Sequence, residues 1–284
     1  MSLIFRPSPY PHWEFEDPAS GDQLRVVPER GGLLTGWRCN GRELVYLDQE
    51  RFANPALSVR GGMPVLFPIC GNLPGDRLPL PEGEFTLKQH GFARDLPWAL
   101  EALADESGVR LILRDSAATR SQYPFPFRLS LELRLEPSAL AITAVVENSG
   151  DRPLPFAFGL HPYFAVSSLA ATALEGLPER CLNHLTMAAA DSTAQLAHLE
   201  QGVDLLADPA GPVRLRDRTA GFAVELQLTA PFDLAVVWTD PPRPMVCLEP
   251  WTAPRGALLS GERRLDLPPG EQQHLRCRYV LLRD

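Results

Sequence analysis

Two histidines and one glutamate sit in short blocks that core packing alone does not require. The blocks are Gln89-His90-Gly91-Phe92-Ala93-Arg94, Gly159-Leu160-His161-Pro162-Tyr163-Phe164 and Val246-Cys247-Leu248-Glu249-Pro250-Trp251. Two imidazoles and a carboxylate are groups that move protons on a neutral molecule without a redox cofactor. Glu249 follows an apolar run, where an ionised carboxylate is costly unless it is partnered or chemically employed. Partial burial would raise its pKa into the range useful for a base. Read alone, each histidine also fits a hydrogen-bonded structural role, and Glu249 also fits an ion pair with Arg255.

Strands must hold these blocks. Thr86, Lys88 and His90 are expected on one face of a strand opposite Phe85 and Leu87, with Gly91 turning the chain afterwards. Phe156, Phe158 and Leu160 would face the core, leaving Ala157, Gly159 and His161 on the other side. Small neighbours would then clear space in front of the His161 ring, and Pro162 would hold its backbone extended. Met245, Cys247 and Glu249 would share a third strand face.

Period-two alternation predicts further strands over 109–114, 129–135, 140–144, 222–228 and 274–281. The 29 prolines and 21 glycines interrupt the apolar runs at short intervals, which suits antiparallel strands joined by turns. The expected class is therefore all-β, a sandwich or a barrel, and only about 168–206 could hold helix or, its pattern being poor, a long ordered excursion. No linker or repeat divides the chain, so residues 1–284 are expected to form one domain.

Composition narrows the partners. A net charge of −8 argues against a nucleic-acid or anionic-membrane surface, although a local arginine pair can still hold a small anion. Five scattered cysteines without a CxxC spacing suggest neither a zinc knuckle nor a disulfide framework. The opening residues lack a signal-peptide run and no segment reaches membrane-spanning length, so a reducing cytoplasm is the expected compartment.

Together with Arg60-Gly61-Gly62-Met63-Pro64-Val65-Leu66-Phe67-Pro68, the three blocks resemble the aldose 1-epimerase (mutarotase) superfamily, in family order and over roughly residues 20 to 280. The resemblance implies a large antiparallel β-sandwich of the galactose mutarotase-like supersandwich kind. It implies an isomerase that interconverts the α and β anomers of an aldohexose or hexose 6-phosphate, without metal or organic cofactor. In that scheme Glu249 is the base, His161 the acid, and His90 a partner on the ring-oxygen side. Their functional atoms are expected on one cleft, several ångströms apart and out of mutual contact. Gln89, Trp251, Arg60 and Arg94 are expected to bind substrate.

Arg60 and Arg94 resemble arginines that hold phosphate in the hexose-6-phosphate branch, and arginine's fork suits that role. The same blocks resemble a branch associated with bacterial lactose and galactose operons, and an ion-pairing scaffold role for both arginines stays open. Trp238 or Trp251 could offer a flat face to a sugar ring. A monomer or weak dimer is expected. Two readings of other classes compete: a non-catalytic carbohydrate-binding module on the same fold, and a His/His/Glu metal enzyme. The second is disfavoured because such triads usually draw two ligands from one HxH-type motif.

Overall fold

In the computed structural model, which describes residues 3–283, antiparallel strands dominate. One eight-stranded sheet runs in the order Thr172–Glu175, Val213–Asp217, Phe222–Leu228, Gln272–Arg283, Ala139–Asn148, Phe127–Glu136, Gly108–Arg114, Ala99–Ala102. Its long strands are the ones the alternation marks. Leu129, Leu131 and Leu133 pair with Val146, Ala144 and Ile142, and all six are buried, while the intervening residues meet solvent more. That is how one face of an antiparallel sheet joins a core.

The second eight-stranded sheet is shorter-stranded: Ala188–Asp191, Arg180–Asn183, Asp204–Ala207, Leu234–Trp238, Met245–Trp251, Gly159–Leu160, Val65–Leu66, with Tyr163–Ala165 also pairing with Met245–Trp251. Leu205, Val237, Leu248, Val246 and Phe164 belong to the same apolar core as the first sheet's Leu131, Ile142 and Cys277. The buried Tyr279 hydroxyl of the first sheet donates to the Leu248 carbonyl of the second at 2.7 Å, and its ring lies 5.0 Å from Phe164. Two sheets over one core make the sandwich that was expected. A five-stranded N-terminal sheet, Ile4–Arg6 to Arg42–Glu43, packs Phe15, Leu24 and Trp37 into the same core.

Two local expectations are corrected. The stretch 168–206 carries four short strands joined by turns and loops, with one helical turn at Ser192–Leu196, and short helices also occur at Gln49–Ala53, Ala117–Arg120 and Ala257–Ser260. Its strands have four residues each, too few for period two to stand out in sequence. The strand before His90 ends at Thr86. His90 and Gly91 instead take left-handed backbone conformations, with φ of 66° and 69°. This tight turn lets the His90 N–H reach the Gly71 carbonyl at 2.6 Å. All five cysteines are free and buried.

Candidate active site

The face of the second sheet turned away from the shared core carries the chemistry. On Met245–Trp251 the side chains of Val246 and Leu248 enter the core, so Cys247 and Glu249 occupy the opposite face, while Trp251 packs into the main core and also lines the cavity on that face. Gly159 faces Trp251 and Tyr163 faces Cys247 across the adjoining strands. Midway between these pairs, where Pro162 interrupts the ladder, position 161 falls opposite position 249. Cross-strand partners project side by side from one face, and His161 Nε2 accordingly lies 3.4 Å from Glu249 Oε1. The expectation of separated groups is therefore wrong: register makes acid and base candidates neighbours.

The same register extends outward. Val236 faces Glu249 and Asp204 faces Trp238. Beyond Asp204 lies His184, whose N–H donates to the Asp204 carbonyl at 2.8 Å. Over this face opens a cavity of about 290 Å³ whose lining includes His90, His161, Glu249, Gln89, Arg60, Arg94 and Trp251, every residue singled out from the sequence. Asp204, Arg255, Trp238 and Arg30 line it as well. Asp204 was not found from sequence, because its four-residue strand carries no readable pattern.

Burial governs the electrostatics. Glu249 is 1% exposed and His161 13% exposed. Loss of solvation pushes the Glu249 carboxyl well above its usual range, the nearby Asp204 charge adds to this, and the Trp251 indole N–H, donating at 3.0 Å, partly offsets it. Desolvation lowers His161 to about 3, helped by the Arg94 charge. Burial disfavours the charged form of each, so the carboxyl and Nε2 share one proton at their contact. Arg255, the expected ion-pair partner of Glu249, instead bonds Asp204 through Nη2 at 2.7 Å.

His90 has a narrower role. Its Nδ1 accepts the Gly71 N–H at 3.1 Å, and burial pushes its pKa well down. A neutral imidazole whose Nδ1 accepts must carry its proton on Nε2, which makes His90 a fixed donor. Gly71 both accepts from the His90 N–H and donates to its ring, while the Phe67 N–H donates to the His90 carbonyl at 3.3 Å. A methyl group there would sit 2.1 Å from Arg255 Cγ, at a φ of +71°.

Gly159 does not clear space for a ligand, contrary to expectation. A Cβ at that position would lie 2.9 Å from Trp251 Cδ1 and 2.9 Å from Cys70 Sγ, so the missing side chain makes room for the tryptophan. Trp251 is itself 1% exposed. Trp238 stands edge-on to His161, ring centroids 5.5 Å apart.

The arginines differ in what occupies them. Arg30 bonds the carbonyls of Phe52, Asn54 and Leu57 and is committed to scaffold. Arg60 gives Nε to Asp240 at 3.1 Å and Nη1 to Ser58 Oγ at 3.3 Å. Arg94 makes one hydrogen bond, to the Gln89 carbonyl at 2.9 Å, and has no ion-pair partner among the described residues. Desolvation lowers its pKa.

A metal reading finds a different donor set from the two-histidine triad. His161, Cys247 and Glu249 offer ligand atoms within 4.8 Å of one another. That is looser than the ~3.3–3.8 Å edge of a tetrahedral zinc site, and His90 is outside it, so these residues do not form a ready-made metal cage. Among the described residues no helix is long and apolar enough to cross a membrane.

The aldose 1-epimerase family profile matches residues 22–264. The Slr1438 protein of Synechocystis is 33% identical, with a TM-score of 0.92 over 100% of both chains. A galactose mutarotase related enzyme of Lactobacillus acidophilus, 21% identical, shares the fold with a TM-score of 0.77 over 95% of this chain and 97% of its own. A protein of Cenchrus ciliaris named "Putative glucose-6-phosphate 1-epimerase" is 31% identical over 52% of this chain and 45% of its own length. The chain thus spans about half the length of the curated relatives it matches.

Proposed function

The chain belongs to the aldose 1-epimerase family, and on that footing we propose that it is a mutarotase acting on an aldohexose 6-phosphate. The observation that carries the acid–base part is the His161–Glu249 pair, 3.4 Å apart in a cavity of sugar size. Ring opening needs one proton taken from the anomeric hydroxyl and one delivered to the ring oxygen. Once the pair's shared proton has passed from the Glu249 carboxyl to His161 Nε2 across their 3.4 Å contact, Glu249 takes the first as His161 gives the second, the C1–O5 bond breaks and C1 becomes a carbonyl. Rotation about C1–C2 and reversal of both transfers closes the ring on the other face. The pair holds one mobile proton before and after, so no proton enters from solvent. His90, as a fixed donor, polarises the ring-oxygen side, and Asp204 accepts from a ring hydroxyl. This use of Glu249 as base and His161 as acid follows the family resemblance.

The phosphate part rests on Arg94. A desolvated guanidinium with no ion-pair partner among the described residues, only the more distant Asp95 charge, is poorly compensated, and an incoming dianion supplies what it lacks. Arg60, whose Nη2 makes no hydrogen bond among the described residues, is the second contact. The name of the Cenchrus ciliaris relative supports the same substrate class. Following fresh α-glucose and α-glucose 6-phosphate by polarimetry or NMR tests it. The phosphate ester should turn over faster, and Arg94→Ala should slow that sugar alone, by ten- to a hundredfold, about the loss of a charged hydrogen bond of ~1.5–3 kcal/mol. Equal rates for both sugars, or equal slowing by Arg94→Ala, would overturn the phosphate assignment and leave an unphosphorylated aldose as substrate.

A further inference from the structure

His184 lies outside the set that the proposed reaction uses, yet it is tied to it. Its side chain is 0% exposed. Nδ1 bonds Asp204 Oδ1 at 2.7 Å, while Nε2 is buried with no partner among the described residues. The ring lies nearly parallel to the Trp251 indole, centroids 5.8 Å apart at 28°, and that indole is the donor to Glu249. A residue kept for packing alone would be better met by leucine or phenylalanine, because a buried ring nitrogen without a hydrogen-bond partner has lost its water for nothing. Among the described residues, Asp204 is the hydrogen-bond partner of this side chain.

Asp204 needs that bond. Its other oxygen is held by Arg255 through a single nitrogen, Nη2, and the Arg255 Nε is itself buried without a partner among the described residues. One contact from the end of a long side chain leaves the carboxylate free to swing about its own bond. A second donor on the other oxygen, set by a ring packed against Trp251, fixes the plane. We propose that His184 is a positioning residue that, with Arg255, locks the Asp204 carboxylate as a rigid acceptor for one hydroxyl of the bound sugar. This rests on the sugar-binding reading of the cavity. Orientation of this kind is what a supporting hydrogen bond behind a contacting group provides.

The experiment compares three replacements of His184 in the whole chain, with thermal unfolding to verify folding. Asparagine carries its amide N–H near the Nδ1 position and can still donate to Asp204. Glutamine carries it near Nε2 and cannot, and leucine donates nowhere. His184→Asn should stay within a fewfold of the parent in kcat/KM for the substrate sugar. His184→Gln and His184→Leu should each lose ten- to a hundredfold, mostly as a raised KM. In an Asp204→Asn background, His184→Gln should cost nothing further. Equal losses in His184→Asn and His184→Gln, a fall in kcat at unchanged KM, or additive losses with Asp204→Asn would each overturn the inference, and the Asn/Gln pair decides it even if His184→Leu fails to fold. A parent enzyme that neither binds nor mutarotates any sugar would instead overturn the reading of the cavity, a result visible before any variant is made.

Discussion

Replacing Glu249 by glutamine separates catalysis from stability within one side chain. The amide keeps the shape, its oxygen can accept from Trp251 Nε1 where the carboxylate does at 3.0 Å, and its NH₂ can donate to His161 Nε2 across the present 3.4 Å. What is lost is the ability to take a proton. General-base catalysis is worth about 10²–10⁴ in rate, or ~3–5.5 kcal/mol of barrier, so anomerisation should fall by that factor toward the spontaneous rate. Stability should move the other way. Burial raises the Glu249 pKa in the folded chain, so the folded state holds this proton more tightly than the unfolded one. Stability from that proton is complete below the unfolded value near 4.3 and is lost as pH rises toward the folded value, by at most ~1.4 kcal/mol per pH unit. Glu249→Gln removes that slope. Urea titrations from pH 5 to 9 should show the parent losing stability relative to the variant as pH rises, until the buried carboxyl ionises. Rapid polarimetry on a fresh α-anomer gives the rate. Near-parental turnover by the glutamine variant would show that another group is the base, and a parent-to-variant stability difference that does not change between pH 5 and 9 would show that Glu249 is not held protonated by burial.

His161→Asn should lose a comparable 10²–10⁴ in turnover, and the double variant with Glu249→Gln should be little worse than either alone, because the two act as one proton-holding unit; additive losses would argue against shared function. Acid should destabilise the protein through the histidines. His161 is lowered to about 3 and His90 is lowered too. Between about pH 6.5 and 3 the unfolded chain therefore takes protons that the folded chain refuses, and stability falls as pH falls through that window. His161→Asn should flatten the decline, read by chemical denaturation at pH 6.5, 5.5 and 4.5. Gly71→Ala forces a β-carbon against Arg255 Cγ at positive φ, and should cost about 2–4 kcal/mol from backbone strain plus overpacking. Activity should fall with it because the His90 imidazole loses its anchor, and a Gly71→Ala variant as stable as the parent would show that the turn has room for a β-carbon beside Arg255.

Most of the large sheet was legible because strands such as Phe127–Glu136 and Ala139–Asn148 are long enough for alternation to repeat four or five times. His161 and Glu249 were legible as residue types out of place, one before a proline and one at the end of an apolar run. Their contact was not, because it depends on which residue of one strand faces which of another. Register is a property of pairing and cannot be seen in either segment alone. His90 reads as a strand residue since nothing in Gln89-His90-Gly91 announces a left-handed histidine ahead of the glycine. Asp204 and His184 escape notice for lack of periodicity, since one opens a four-residue strand and the other follows one. Arg255 is visible as a cation near Glu249 in sequence, but its true partner lies on a strand 51 residues away.

Because the ladder between 159–163 and 247–251 alone sets His161 beside Glu249, turnover doubles as a gauge of strand alignment. A chain that collapsed with Met245–Trp251 slipped by one residue would bury Cys247 and Glu249 in the core and turn Val246 and Leu248 toward the cavity. Such a species could be compact, rich in β-structure and spectroscopically near native while wholly inert. During refolding, recovery of activity should therefore lag recovery of far-ultraviolet ellipticity by the time needed for mispaired strands to separate and re-pair, and that lag measures the lifetime of misaligned sheets.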